Sequence, residues 1–204
     1  MKTKIAVFVS GGGTNLQALI DAEKAGKIED GEISLVLSSK PDAYALKRAK
    51  IAGIPTVTVS KKECKSAAEF EEKILAALSA HGIEMIVLAG FMSILSADFT
   101  SRFPERILNV HPSLIPSFCG AGYYGLRVHE AALSYGVKVT GATVHYVNEI
   151  PDGGQILLQR AVEIQDGDTP EILQRRVMEE AEWILLPRAT AMVAKRIREE
   201  KTEK

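Results

Sequence analysis

Short, continuous apolar runs alternate along this chain with stretches whose apolar residues recur every three or four positions. The first pattern suits a strand buried on both faces, and the second a helix with one apolar stripe. Strands separated by helices are joined by crossovers, so they lie parallel and helices cover the sheet. The alternation therefore predicts an α/β fold, a Rossmann-like, mostly parallel twisted sheet flanked by helices.

The expected strands are residues 5–9, 33–37, 55–59, 85–89 and 106–110. After the turn Gly11-Gly12-Gly13, Leu16, Leu19 and Ile20 form one helical face, ending by Gly26. Asp42 can cap a helix reaching about Ile51. Ser66 and Glu69 make a capping box before Phe70, Ile74 and Leu78, and Gly82 stands where a left-handed cap belongs. A helix is expected from about Arg127 to Tyr135, then two long β-like segments, 137–147 and 155–164, around Pro151-Asp152-Gly153-Gly154. Thr169-Pro170-Glu171 starts a last helix carrying Leu173, Val177, Ala181 and Ile184. Pro187 is expected to kink or break that helix, and the charged segment from Lys195 to fray. No repeat or linker interrupts the pattern, so residues 1–204 read as one domain with a charged tail at about 196–204.

Composition narrows the partners. The 25 Lys plus Arg against 26 Asp plus Glu give a net charge of −1, without the basic footprint of a nucleic-acid binder. No apolar run approaches the ~20 residues that span a bilayer. The terminus Met1-Lys2-Thr3-Lys4 lacks an apolar signal core, and Cys64 and Cys119 do not suggest a disulfide framework. We expect a cytoplasmic protein that acts on small molecules, as a monomer or homodimer. Its four histidines have no metal-binding spacing, so no metal is expected.

Three loops carry chemical promise. Ser10-Gly11-Gly12-Gly13-Thr14-Asn15 opens the first helix, where free amides and bare backbone suit an anion. An ordinary strand-to-helix turn capped by Thr14 or Asn15 is the competing reading. A dinucleotide fingerprint fails, because Leu16 takes the third glycine position and Leu37-Ser38-Ser39-Lys40 offers no acid for a ribose. A single phosphate monoester suits the loop better. Asn109-Val110-His111-Pro112-Ser113 ends a buried strand, and alternation puts Asn109 and His111 on one side. An amide donor and an imidazole in one cleft suit acyl transfer, though each alone is common turn chemistry. Asp152 matters only if it meets His111 in space, where it would favour the imidazolium. Such sites are expected at the carboxyl ends of the strands.

Ser10-Gly-Gly-Gly-Thr-Asn15, Leu88-Ala-Gly-Phe-Met92, Asn109-Val-His-Pro-Ser-Leu-Ile-Pro116 and Asp152-Gly-Gly154 together resemble the folate-dependent phosphoribosylglycinamide formyltransferases of purine synthesis. The resemblance runs from about Lys4 to Pro187. It implies the formyltransferase fold and transfer of a formyl group from 10-formyltetrahydrofolate to the amine of glycinamide ribonucleotide. By the same likeness Asn109, His111 and Asp152 are catalytic, and Gly13, Thr14, Asn15 and Glu182 hold the ribonucleotide. Met92, Ser93, Ile94 and Leu95 line one folate wall, and Asn148, Glu149, Ile150, Pro151 and Asp152 the other, with Asn109 between. Thr143 takes a small hydroxyl position.

Some residues depart from the pattern or stay open. Ser93 stands where the family often has arginine, and only Lys65 brings charge to Cys64-Lys65-Ser66-Ala67. The loop from Ser117 to Gly125 is long and rich in glycine, a candidate lid or a plain flexible loop. Cys119 reads as a small apolar filler, His129 as helix-end polar packing, and His81 as a solvent-side residue. His145 reads as a core histidine or a partner standing behind the site. A formyltransferase for another amine, such as methionyl-tRNA, should need a further basic domain. A formyltetrahydrofolate hydrolase should carry an N-terminal regulatory domain.

Overall fold

The computed structural model describes residues 1–202. Seven strands form one sheet: β1 (Thr3–Val9), β2 (Gly31–Ser38), β3 (Thr56–Thr58), β4 (Met85–Leu88), β5 (Ile107–His111), β6 (Val139–Tyr146) and β7 (Ile156–Glu163). Their order is β3-β2-β1-β4-β5-β6-β7. The first five are parallel, while β6 and β7 join as antiparallel strands. Strand order reverses between β1 and β4, so the crevice outside their carboxyl ends is the expected ligand position.

Helices α1 (Thr14–Lys24), α2 (Tyr44–Ile51), α3 (Ala67–Ala80), α4 (Ala97–Ser101), α5 (Leu126–Tyr135), α6 (Pro170–Val177) and α7 (Trp183–Thr202) complete the chain. Alternate side chains of β1 feed two cores. Ile5, Val7 and Val9 meet α1, α2, α6 and α7, whereas Ala6 and Phe8 meet α3 and α4. Local signals hold where the sequence placed them. Ser66 accepts from the Glu69 amide and Thr169 from the Ile172 amide, and Gly82 is left-handed.

Four expectations need correction. Asp42 does not cap α2, whose N-cap is Ala43 with no side-chain bond. Neither Thr14 nor Asn15 caps α1. Gly13 does, at φ 74°, where a Cβ would lie 2.6 Å from that of Ala45. Pro187 does not break the last helix, since α7 runs through it and buries its ring. The irregularity lies upstream, as a π turn at Met178–Glu182. That wider turn moves the apolar stripe by one position, so Leu185 is buried and Ile184 is 44% exposed. The segment from Lys195 stays helical to Thr202, because Ile197 is buried and Arg196, Arg198, Glu200 and Lys201 pair with Glu105, Asp30, Arg106 and Glu84. Residues 203–204 of the expected tail lie outside the described residues.

Candidate active site

Three segments meet at the β1/β4 switch point. The Ser10 hydroxyl, at the end of β1, contacts that of Ser39 at 2.6 Å and accepts from the Met92 amide at 2.9 Å. It ties the glycine loop to the segment after β4. Beside them β5 ends in Asn109 and His111. The sequence places all these loops at the carboxyl edge, but the Asp152 loop differs. Antiparallel pairing puts the end of β6 level with Leu108, at the opposite edge, and the β6–β7 loop folds back to reach Asn109. Gly154 permits this return, for a Cβ there would meet the Tyr146 carbonyl oxygen at 1.8 Å. Asp152 itself is left-handed, at φ 55°.

The result is a cluster around one carboxylate. Asp152 Oδ2 lies 3.5 Å from His111 Nδ1 and accepts from the Gly120 amide at 2.8 Å. Its Oδ1 lies 3.5 Å from both His145 Nε2 and Asn109 Nδ2. Hydrogen positions follow from the carbonyls, which only accept. His145 Nδ1 contacts the Tyr146 carbonyl at 2.8 Å, so that nitrogen carries a hydrogen. In the neutral ring Nε2 then accepts from Asn109 Nδ2 at 3.1 Å. His111 Nε2 donates to the Phe118 carbonyl at 2.8 Å while Nδ1 faces Asp152, so only the doubly protonated ring satisfies both contacts. Burial opposes ionisation of Asp152, but its polar neighbours, among them the Gly120 amide and the charge of His111, hold its carboxyl below the usual carboxylate range. His145 thus stands directly behind Asn109.

The cluster borders a cavity of about 620 Å³. One end is apolar, with Met92, Ile94 and Pro151, and a smaller recess of about 130 Å³ adds Leu95, Asn148 and Ile150. Ser93 borders both spaces. Glu149 instead faces a separate groove beside Ala97 and Thr100, which Asn148 also borders. Lys65 lies outside both spaces, its amide bonded to Glu69. The other end of the cavity holds Asn15 and Glu182, joined by a 2.7 Å bond from Asn15 Nδ2. Glu182 is 6% exposed, and burial pushes its pKa up to about 7 against the opposing Asn15 bond. Gly13 and Thr14 do not border the cavity; Thr14 faces Met178, and Gly11 and Gly12 have open space where a side chain would stand.

Other candidates settle differently. Thr143 is buried and fully bonded, donating to the Ser113 carbonyl and accepting from Ile115 and Gln159, so it braces the turn after β5. His81 contacts the Ala77 carbonyl at the end of α3. Burial, then the charge of Asp152, pushes the Cys119 thiol up, consistent with a filler. His129 is not packed by polar groups, since neither ring nitrogen has a partner among the described residues. Among those residues no cluster of His, Cys, Asp and Glu could hold a metal, and no helix is long and apolar enough to cross a membrane.

This carboxylate-braced Asn–His pair sits at the switch point of an α/β sheet, and residues 3–190 match the formyl transferase family, to which this chain belongs. The phosphoribosylglycinamide formyltransferase of Haemophilus influenzae is 44% identical over 177 residues, 87% of this chain and 81% of that protein. The trifunctional purine biosynthetic protein adenosine-3 of Gallus gallus is 45% identical over 95% of this chain, which spans 18% of that protein's length. The glycinamide ribonucleotide transformylase 1 of Symbiobacterium toebii superposes with a TM-score of 0.88 at 40% identity, covering 95% of this chain and 88% of that one.

Proposed function

We propose that this chain transfers the formyl group of 10-formyltetrahydrofolate to the amine of 5′-phosphoribosylglycinamide, giving phosphoribosylformylglycinamide and tetrahydrofolate in purine synthesis. One observation carries the reading: a single carboxylate, Asp152, reaches Asn109, His111 and His145 beside a cavity with one apolar and one polar end. The apolar end suits a flat pteridine, with Met92, Ser93, Ile94, Leu95, Asn148, Ile150 and Pro151 as its walls. Asn15 and Glu182 suit a ribose. The open backbone at Gly11 and Gly12, where Gly13 starts α1, suits a phosphate monoester. Residues 1–204 work as one catalytic domain with two small-molecule substrates.

The amine attacks the formyl carbon, and the formyl oxygen becomes an oxyanion. Asn109 Nδ2–H and the His111 imidazolium are its donors. Asp152 orients the His111 ring, and assists proton movement through water from the attacking nitrogen to the departing folate nitrogen. His145 fixes the Asn109 amide. The Phe118 carbonyl holds His111 Nε2–H in this conformation, so the 117–125 loop must release that hydrogen before it can turn to the oxyanion. An absorbance assay of tetrahydrofolate release tests the proposal. Release should require glycinamide ribonucleotide. Amine-independent release would indicate a hydrolase, and no release would refute transfer.

A further inference from the structure

His129 borders the cavity, but the chemistry above does not use it. It sits in the first turn of α5, is 0% exposed, and has two buried ring nitrogens without a hydrogen-bond partner among the described residues. A buried polar atom without a partner is costly, whereas an apolar side chain of similar size would pack there without that cost. Folding therefore gives no reason for an imidazole. The ring shares the lining of this cavity with His111 and Asp152, with Gln174 and Glu182, and with residues 120–125. Burial, then the charge of His111, presses its pKa down to about 4. At neutral pH it offers one N–H donor and one lone-pair acceptor.

We propose that His129 is a substrate-contact and specificity residue, whose neutral imidazole hydrogen-bonds the amide joining the reacting amine to the ribose of the ribonucleotide substrate. The inference rests on the function proposed above, which puts the amine at Asn109 and His111 and the ribose at Glu182. The connecting amide then crosses the cavity that His129 borders. An amide presents one N–H and one C=O, complementary to a neutral imidazole, whereas an imidazolium would have no acceptor to offer. The ring is enclosed in this conformation, so contact needs the same loop displacement that frees His111.

Calorimetric binding of glycinamide ribonucleotide to the wild type, His129→Leu and His129→Gln tests this without the folate substrate. One neutral hydrogen bond corresponds to about 5–10-fold in affinity. His129→Leu should lose about that factor for the ribonucleotide. Its KM for 10-formyltetrahydrofolate should not move, kcat should stay within about twofold, and Tm should equal or exceed that of the wild type. His129→Gln, which keeps a donor and an acceptor, should recover part of the affinity. Unchanged ribonucleotide affinity in a folded His129→Leu protein would overturn the contact. So would a lowered Tm with equal weakening toward both substrates, which marks a packing role. A wild type that shows the His129-dependent binding yet forms no product would uphold this contact and overturn the transfer reading instead.

Discussion

Consider Glu182→Gln. The carboxyl is buried in the wall of the cavity, and its one hydrogen bond comes from Asn15 Nδ2. Burial raises its pKa from 4.5 to about 7. The folded protein therefore holds this proton more tightly than the unfolded chain does, and stability falls as pH rises between those two values. Above about 7 the loss is complete, and the interval corresponds to about 3 kcal/mol. Glutamine cannot ionise, but its amide oxygen can still accept from Asn15. In urea unfolding the variant should exceed the wild type by less than about 1 kcal/mol at pH 5 and by about 3 kcal/mol at pH 8. Other titrating groups are common to both proteins and cancel. A difference that does not change with pH, or a variant less stable at pH 8, would refute the reasoning. A carboxylate kept at this cost is the signature of a group retained for its ligand rather than for the fold.

Further tests follow from the geometry. Alanine at Asn109, His111 or Asp152 should lower kcat by about 10²–10³ with circular dichroism unchanged, and near-normal turnover by a folded His111→Ala protein would remove it from the site. His145→Ala should lower kcat with little change in KM, because it frees the Asn109 amide that Nε2 now holds; a steady-state assay separates the two constants. Gly154→Ala should abolish activity and depress Tm, since its Cβ would collide with the Tyr146 carbonyl; thermal melting and turnover report both. Ile197→Ala should cost about 2–4 kcal/mol in urea unfolding, whereas a frayed tail would show no change.

The sequence was most readable where structure is set by near neighbours. Ser66, Thr169 and Gly82 act within one helical turn, so their caps were visible. Strand β4, and β1 from Ile5 onward, are buried on both faces and read as unbroken apolar runs. The reversal at Asp152 was hidden, because nothing local says that β6 runs antiparallel and that its loop must return across the sheet. His145 stayed open because its role depends on Asn109 lying opposite it in the β5–β6 register. The segment from Lys195 looked like a loose tail because its ion-pair partners, Asp30, Glu84, Glu105 and Arg106, lie far off in sequence.

The π turn at Met178–Glu182 leaves the last helices with two masters. Upstream, Leu173 and Val177 fix one rotational phase, and downstream Leu185, Ala189, Val193 and Ile197 fix another. Glu182 lies at the join. Each residue of an α-helix turns the chain by about 100°, so winding the eight residues from Val177 to Leu185 as regular α-helix would put Leu185 about 80° out of phase and force a choice. Either the downstream stripe keeps its seat and α6 swings away, or α6 stays and Glu182 points elsewhere with every residue after it. Length in this segment is thus as specific as identity: the chain carries one residue more than a regular helix needs, and the π turn takes it up beside Glu182.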